Sequence, residues 1–344
     1  MTQQLDINDT SEIDAGITDS RLDDIKEWIS ADLKLENYQI EVASADASFR
    51  RYFRVRSANK SWVIMDAPPD KEDCRSFVTI AKLIEAAGVQ APHIYNFNQA
   101  QGFMQLSDLG STAYLDRLTN ETVDQFYADA IQSIVKMQGI QAELPEYNAE
   151  LLQFEMSLFK DWFLLKHLNI ELDVSQNKII TDTVNLLMQS ALQQSAVFVH
   201  RDFHSRNLMI TDENNPGVID FQDAVNGSPA YDLVSLIKDC YIAWPRVKQL
   251  QWVDQYLKLS SLNVDRQVFI KQMDFMGMQR HMKAIGIFAR LNHRDGKPGY
   301  LDDIPRTLAY VFDVCQRYEE LAEFSSMLSI LKIKADAMTL DLIR

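Results

Sequence analysis

The sequence predicts an α+β fold of two lobes, a small β-rich N-terminal lobe followed by a larger, mainly helical C-terminal lobe. Three observations carry this reading. Short β-prone runs crowd residues 38–106, apolar groups at helical spacing dominate from residue 111 onward, and 344 residues suffice for two cores. Hydrophobic residues make up 47% of the chain and charged residues 24%, the balance of a globular protein rather than a disordered one.

Residues 1–19 are polar and acidic and read as a flexible start without the basic and apolar regions of a signal peptide. Apolar groups then recur at helical spacing over 20–29, with Ser20 as the expected cap. Strands are expected at 38–42, 51–56 and 61–65, then a helix at 72–87 that Gly88 ends, then strands at 93–97 and 102–106. The boundary falls near 107–110, giving an N-terminal lobe 1–107 and a C-terminal lobe 108–344. Helical spacing continues at 121–138, 150–167, 177–194, 231–241, 247–257, 268–292 and 305–333.

The chemistry concentrates in His200-Arg-Asp-Phe-His-Ser-Arg-Asn207 and in Ile219-Asp-Phe-Gln-Asp223. Apolar runs at 197–199, 208–210 and 218–219 read as strands anchoring these polar loops, and 212–217 reads as a hairpin connection. Taken singly, each acid is most simply a solvated loop residue. The ordered set fits phosphoryl transfer, which needs an oriented nucleophile and neutralised phosphate charge. Asp202 is the candidate proton acceptor, and Asn207 and Asp220 offer hard oxygen donors to Mg2+. His200 is expected to fix the loop by hydrogen bonding, and Asp232 to hold it from a helix N-terminus. Arg206 either offsets phosphate charge or braces the loop.

This order resembles the protein-kinase catalytic loop with its downstream metal-binding Asp. With Tyr231-Asp-Leu233 added, it is similar to the aminoglycoside phosphotransferase family of small-molecule kinases. The resemblance implies a two-lobed protein-kinase-like fold that uses ATP and Mg2+. It makes Asp46-Ala-Ser-Phe-Arg50 the phosphate-covering loop, with Ser48, Phe49 and Arg50 at the nucleotide, although the loop lacks glycine. Gln105, Leu106 and Ser107 become the hinge beside adenine. Met65 stands where the family places a Lys, so Arg50, Arg51 or Arg54 is the expected substitute, Arg50 first.

Longer segments resemble one branch of that family, the bacterial anomeric sugar kinases that phosphorylate N-acetylmuramate and N-acetylglucosamine at C1. They include Asp46 to Arg54, Met65-Asp-Ala-Pro-Pro69, Asp220 to Ala224, Tyr231 to Leu236, Asp239-Cys-Tyr241, Arg280-His281 and Gly286-Ile-Phe-Ala-Arg290. The branch implies a role in cell-wall (peptidoglycan) recycling. Candidate sugar contacts are Asp223, Asp239, Arg280, His281, Arg290 and the loop 292–297, with an Arg of this region expected to form a bidentate contact to the lactyl carboxylate of N-acetylmuramate. Two alternatives stay open: another small-molecule phosphotransferase, with an aminoglycoside-type acceptor, and a regulatory pseudokinase that senses nucleotide without turnover.

A formal net charge of −15 argues against a general nucleic-acid surface. Three cysteines without zinc or disulfide spacing point to a reducing compartment, and no apolar run reaches membrane-spanning length. The expected setting is cytoplasmic, the expected partners are ATP and a small amino sugar, and the oligomeric state is left open.

Overall fold

The structure, a computed structural model, describes residues 19–45 and 49–344. Five strands form one antiparallel sheet: β1 (Gln39–Ala45), β2 (Arg51–Ser57), β3 (Lys60–Asp66), β4 (Ile94–Asn98) and β5 (Phe103–Ser107). Their spatial order is β1-β2-β3-β5-β4. Helix Ser20–Ala31 places Ile25, Trp28 and Ile29 on one stripe, which packs on Phe53, Val55, Ile64 and Phe103 of the sheet. Each such side chain contributes about 1.5–3 kcal/mol when fully buried. The helix is capped by Asp19, whose carboxylate accepts from Leu22 N at 3.1 Å, one residue before the expected Ser20.

By its contacts the chain divides into two units. Described residues up to Cys74 join Ile94–Asp108 in the first, and Arg75–His93 joins Leu109–Arg344 in the second. Helix Cys74–Ala86 therefore falls almost wholly in the second unit, where Phe77 meets Phe221 with ring centroids 4.8 Å apart. Gly88, at φ +74, follows that helix in the left-handed conformation expected of it.

The second unit is built around helix Arg266–Asp295, a 30-residue element buried through most of its length. Asp265 caps it by accepting from Gln267 N and Val268 N, and Gly296 closes it with a left-handed residue. Helices Ala149–Leu158, Ala230–Ile237 and Ile304–Arg317 pack along it. Where 150–167 reads as one helix in sequence, the structure widens to a π-helical stretch, Phe159–His167, immediately after Leu158. Leu158 is the residue that the long helix approaches at Gly286. A Cβ on Gly286 would lie 2.3 Å from the Leu158 carbonyl carbon and 2.5 Å from its oxygen.

Two other predicted helices end early. Helix Ala230–Ile237 stops short of 241 because Lys238 turns inward, its ammonium 2.7 Å from Asp274 in a site also filled by Arg246. Burial would raise the Asp274 carboxyl, but Lys238 and Arg246 outweigh it and hold the group down at about 2. The stretch 305–333 breaks at Tyr318, whose extended backbone lets its hydroxyl donate to Asp274 Oδ2 at 2.8 Å. Cys74, Cys240 and Cys315 are all buried thiols. Among the described residues no helix is long and apolar enough to cross a membrane.

Gly286→Ala should destabilise the chain by about 1–3 kcal/mol through overpacking, against a helix-propensity gain of about 1 kcal/mol. Thermal denaturation checks this: an unchanged midpoint would mean that the close approach to Leu158 is not a constraint.

Candidate active site

Four short strands frame the polar loops. β6 (Val197–Val199) pairs with β9 (Val225–Gly227), and β7 (Leu208–Met209) pairs with β8 (Gly217–Val218) across the hairpin expected at 212–217. The loop 200–207 runs from β6 to β7, and Asp220 lies just beyond β8. Asp232, in the first turn of helix Ala230–Ile237, accepts from His200 N at 2.7 Å and from Arg201 N at 3.1 Å. The predicted clamp on the loop is therefore present. It holds Arg201 at φ +78, a left-handed conformation that costs a non-glycine residue roughly 1–3 kcal/mol.

His200 is the loop-fixing residue the sequence suggested. Its Nε2 lies 3.1 Å from Ile219 O, and its Nδ1 accepts from Asp202 N at 3.2 Å. Burial pushes the imidazole down to about 4, so the neutral ring donates through one nitrogen and accepts through the other. One side chain thereby ties the catalytic loop to the segment leading into Asp220.

Asp202, Asn207 and Asp220 are brought together. Asn207 Nδ2 donates to Asp202 O at 3.0 Å and to Asp220 Oδ2 at 3.2 Å, while Ile219 N donates to Asn207 O at 3.1 Å. Gln222 Nε2 donates to Asp220 Oδ1 at 2.8 Å. Asp220 also takes a left-handed backbone, at φ +64. With its amide nitrogen engaged, Asn207 offers a carbonyl oxygen beside the Asp220 carboxylate. Among the described residues no cluster of three or more His, Cys, Asp or Glu completes a cage. Two hard oxygen donors without a cage suit Mg2+, which usually keeps several waters and takes its remaining ligands from phosphates.

The charge around Asp202 comes largely from elements distant in sequence. Burial works to raise its pKa, but the positive field of Lys283, His204, Arg280 and Arg201 outweighs this and lowers it. Lys283 Nζ sits 3.0 Å from Glu155 Oε1, and Arg201 Nη2 sits 2.5 Å from the same oxygen. Tyr147 donates a short hydrogen bond to Glu155, and Gln279 Nε2 adds another at 3.2 Å. This network holds an ionised carboxylate in the loop, as a proton acceptor requires.

Other expected site residues stand differently. Asp239 is not presented to a sugar. It is fully buried and its carboxylate is occupied, Oδ2 accepting from Ser205 N at 2.9 Å and Ser205 Oγ at 2.6 Å, and Oδ1 from Tyr241 N at 2.9 Å. It supports the loop. Asp223 is exposed, and its backbone oxygen accepts from Arg201 Nη1 at 3.3 Å. Arg290 is charge-coupled to Arg294 and Asp295, and no hydrogen bond or ion pair among the described residues joins it to the loop. Arg206 stacks on Tyr241, its guanidinium 3.6 Å from the ring centroid.

In the first unit Ser48 lies outside the described residues. Phe49 is 64% exposed, with Lys71 Nζ 5.9 Å from its ring centroid. Arg50 pairs with Glu72 at 2.8 Å, Arg51 with Asp66 at 2.6 Å and Arg54 with Asp108 at 2.7 Å, so all three candidate cations carry an ion pair. Met65 is fully buried on β3. Gln105 lies between Ile64 of β3 and Asn96 of β4, and β4 pairing stops at Leu106, one residue before Ser107.

Sequence reasoning missed Glu155, Lys283 and Tyr147. The available signal was weak: a Glu and a Lys on the apolar sides of two long helices, each without a partner at helical spacing.

Asp232 carries a pH dependence. Burial raises its carboxyl from an ordinary 3.8 to about 7, with Asp202 adding to the shift and the His200 and Arg201 amides opposing it. A raised folded-state pKa contributes stability that is full below about pH 4 and lost progressively up to about pH 7. Wild type should therefore lose stability relative to Asp232→Asn by up to about 1.4 kcal/mol per pH unit in that window, then level off. Denaturation of both chains from pH 5 to 8 checks this, and parallel curves would reject it.

An N-acetylmuramate/N-acetylglucosamine kinase of Pseudomonas aeruginosa is 44% identical over 305 residues, covering 86% of this chain and 89% of the relative. A kinase of the same description from Pseudomonas putida is 41% identical, covering 93% and 99%. Among solved structures, an ADP-bound aminoglycoside phosphotransferase superposes with a TM-score of 0.57 at 14% identity, covering 83% of this chain and 97% of that one. A choline kinase from Streptococcus pneumoniae gives 0.60 at 13% identity, covering 85% and 99%. These two likenesses show the protein-kinase-like fold. The sequence pattern of the phosphotransferase enzyme family matches residues 39–267, and the chain belongs to that family.

Proposed function

We propose that this chain is an ATP-dependent kinase that phosphorylates the anomeric C1 hydroxyl of N-acetylmuramate and N-acetylglucosamine, in a cytoplasmic pathway that recycles cell-wall sugars. The observation that carries the phosphotransfer reading is the convergence of Asp202, Asn207 and Asp220, with Asn207 Nδ2 bridging Asp202 O at 3.0 Å and Asp220 Oδ2 at 3.2 Å. The sugar acceptors are supported by the printed names of relatives 41–44% identical to this chain.

Asp202 accepts the C1 hydroxyl proton as that oxygen bonds to the γ-phosphorus, and the bond from phosphorus to the departing ADP oxygen breaks. An anomeric hydroxyl is more acidic than an ordinary alcohol, so a carboxylate with a lowered pKa suffices. Asn207 and Asp220 would hold Mg2+, which when bound neutralises phosphate charge. Ser48, Phe49 and Arg50 are assigned to the phosphates and Gln105 and Ser107 to the base, with Arg50 exchanging Glu72 for the nucleotide. Of the earlier sugar candidates, Asp223 is retained because the residue is exposed and its backbone oxygen accepts from Arg201 of the loop.

The test is ADP release with Mg-ATP and each sugar, followed by phosphorus NMR of the product. A C1 phosphate supports the proposal. ADP release with an aminoglycoside alone would move the chain to another acceptor class, and nucleotide binding without turnover would make it a sensor. Asp202→Asn should lower kcat about 10²- to 10⁴-fold. Its nucleotide affinity, measured by calorimetry, should change little, and near-normal turnover would remove Asp202 as the proton acceptor.

A further inference from the structure

We infer that Arg280 reads the carboxylate of an acidic acceptor and so sets the preference for N-acetylmuramate over N-acetylglucosamine, an assignment that rests on the amino-sugar kinase reading above. The long helix Arg266–Asp295 places Arg280 three residues before Lys283, and both act electrostatically on Asp202. Their own contacts differ. Lys283 is committed to Glu155 at 3.0 Å and to the Tyr231 hydroxyl at 3.3 Å.

Arg280 is 6% exposed, yet its one hydrogen bond among the described residues runs from Nη1 to Cys240 Sγ at 3.6 Å. A guanidinium has five N–H donors, and a thiol is a weak acceptor. Other buried guanidiniums in the same unit are spent on carboxylates: Arg246 reaches Asp274 through both terminal nitrogens at 2.8 and 2.7 Å, and Arg201 reaches Glu155. Buried charges are ordinarily paired and hydrogen-bonded, so this one lacks acceptors of its own. Its 6% exposure leaves part of the side chain within reach of a ligand.

The nearby carboxylates do not fill that role. Asp202 and Asp239 act on Arg280 through space and, with Cys240 and Tyr231, keep it charged. The oxygens of Asp239 are occupied by Ser205 and Tyr241, and Asp202 is reserved for the reacting hydroxyl. What remains is a planar cation with free donors beside the proton acceptor. Its natural counterpart is a ligand carboxylate, bound through two parallel hydrogen bonds.

The two candidate sugars differ in that chemistry, because N-acetylmuramate carries a lactyl carboxylate that N-acetylglucosamine lacks. Without a compensating cation, Asp202 and Asp220 would repel the acidic sugar. An Arg280 acting instead on the transferred phosphoryl group would affect both sugars alike.

The experiment measures kcat/KM for N-acetylmuramate, its methyl ester and N-acetylglucosamine with wild type, Arg280→Met and Arg280→Lys. The ratio of N-acetylmuramate to N-acetylglucosamine should fall about 30-fold in Arg280→Met, and less in Arg280→Lys, which keeps the charge but loses the fork. Esterification should penalise wild type strongly and Arg280→Met little. An unchanged ratio overturns the inference. So does a wild type indifferent to esterification, a result that needs no variant to fold. Wild type inert toward both sugars would instead remove the kinase reading itself.

Discussion

Two backbone N–H groups ending on one buried carboxylate hold the loop 200–207 in place. Asp232 receives His200 N and Arg201 N, and through that clamp the loop adopts a left-handed residue it would not otherwise take. Everything the loop presents follows from it. His200 then reaches both Asp202 N and Ile219 O, which couples Asp202 to the strand end carrying Asp220. Asp239 secures another part of the loop through Ser205, so two acids support the segment that carries Asp202.

Those acids are driven in opposite directions by their surroundings. Burial raises Asp232 to about 7 against the His200 and Arg201 amides and a weaker pull from Arg280. Asp202 suffers burial too, yet lies in the field of Lys283, Arg280 and Arg201 and stays ionised. Separating carboxylates in this way gives one residue type two protonation behaviours within one loop and its support. Glu155 makes the division possible, because it holds Lys283 and Arg201 within reach without neutralising Asp202 directly.

The candidate site was legible where its residues are local in sequence. Asp202, Asn207 and Asp220 sit on one loop and one strand end, so their spacing alone brought them together, and Asp232 followed from its place at a helix start. Long-range partners left no such trace. Glu155 meets Lys283 only because two helices cross, and Asp239 reads as an available acid until its burial against Ser205 is seen. Helix ends behaved similarly: Lys238 and Tyr318 leave their helices to reach Asp274, a destination absent from any local window. The five strands were readable from β-prone runs, whereas the insertion of β5 between β3 and β4 is a property of the assembled sheet.

All three thiols of this chain are buried. Burial raises each of their pKa values, which disfavours the reactive thiolate as well as hiding the sulfur. Alkylating reagents in neutral buffer therefore find their targets when the fold opens. The pace at which Cys74, Cys240 and Cys315 become modified is an intrinsic clock for opening of the fold at three positions, with no engineered label.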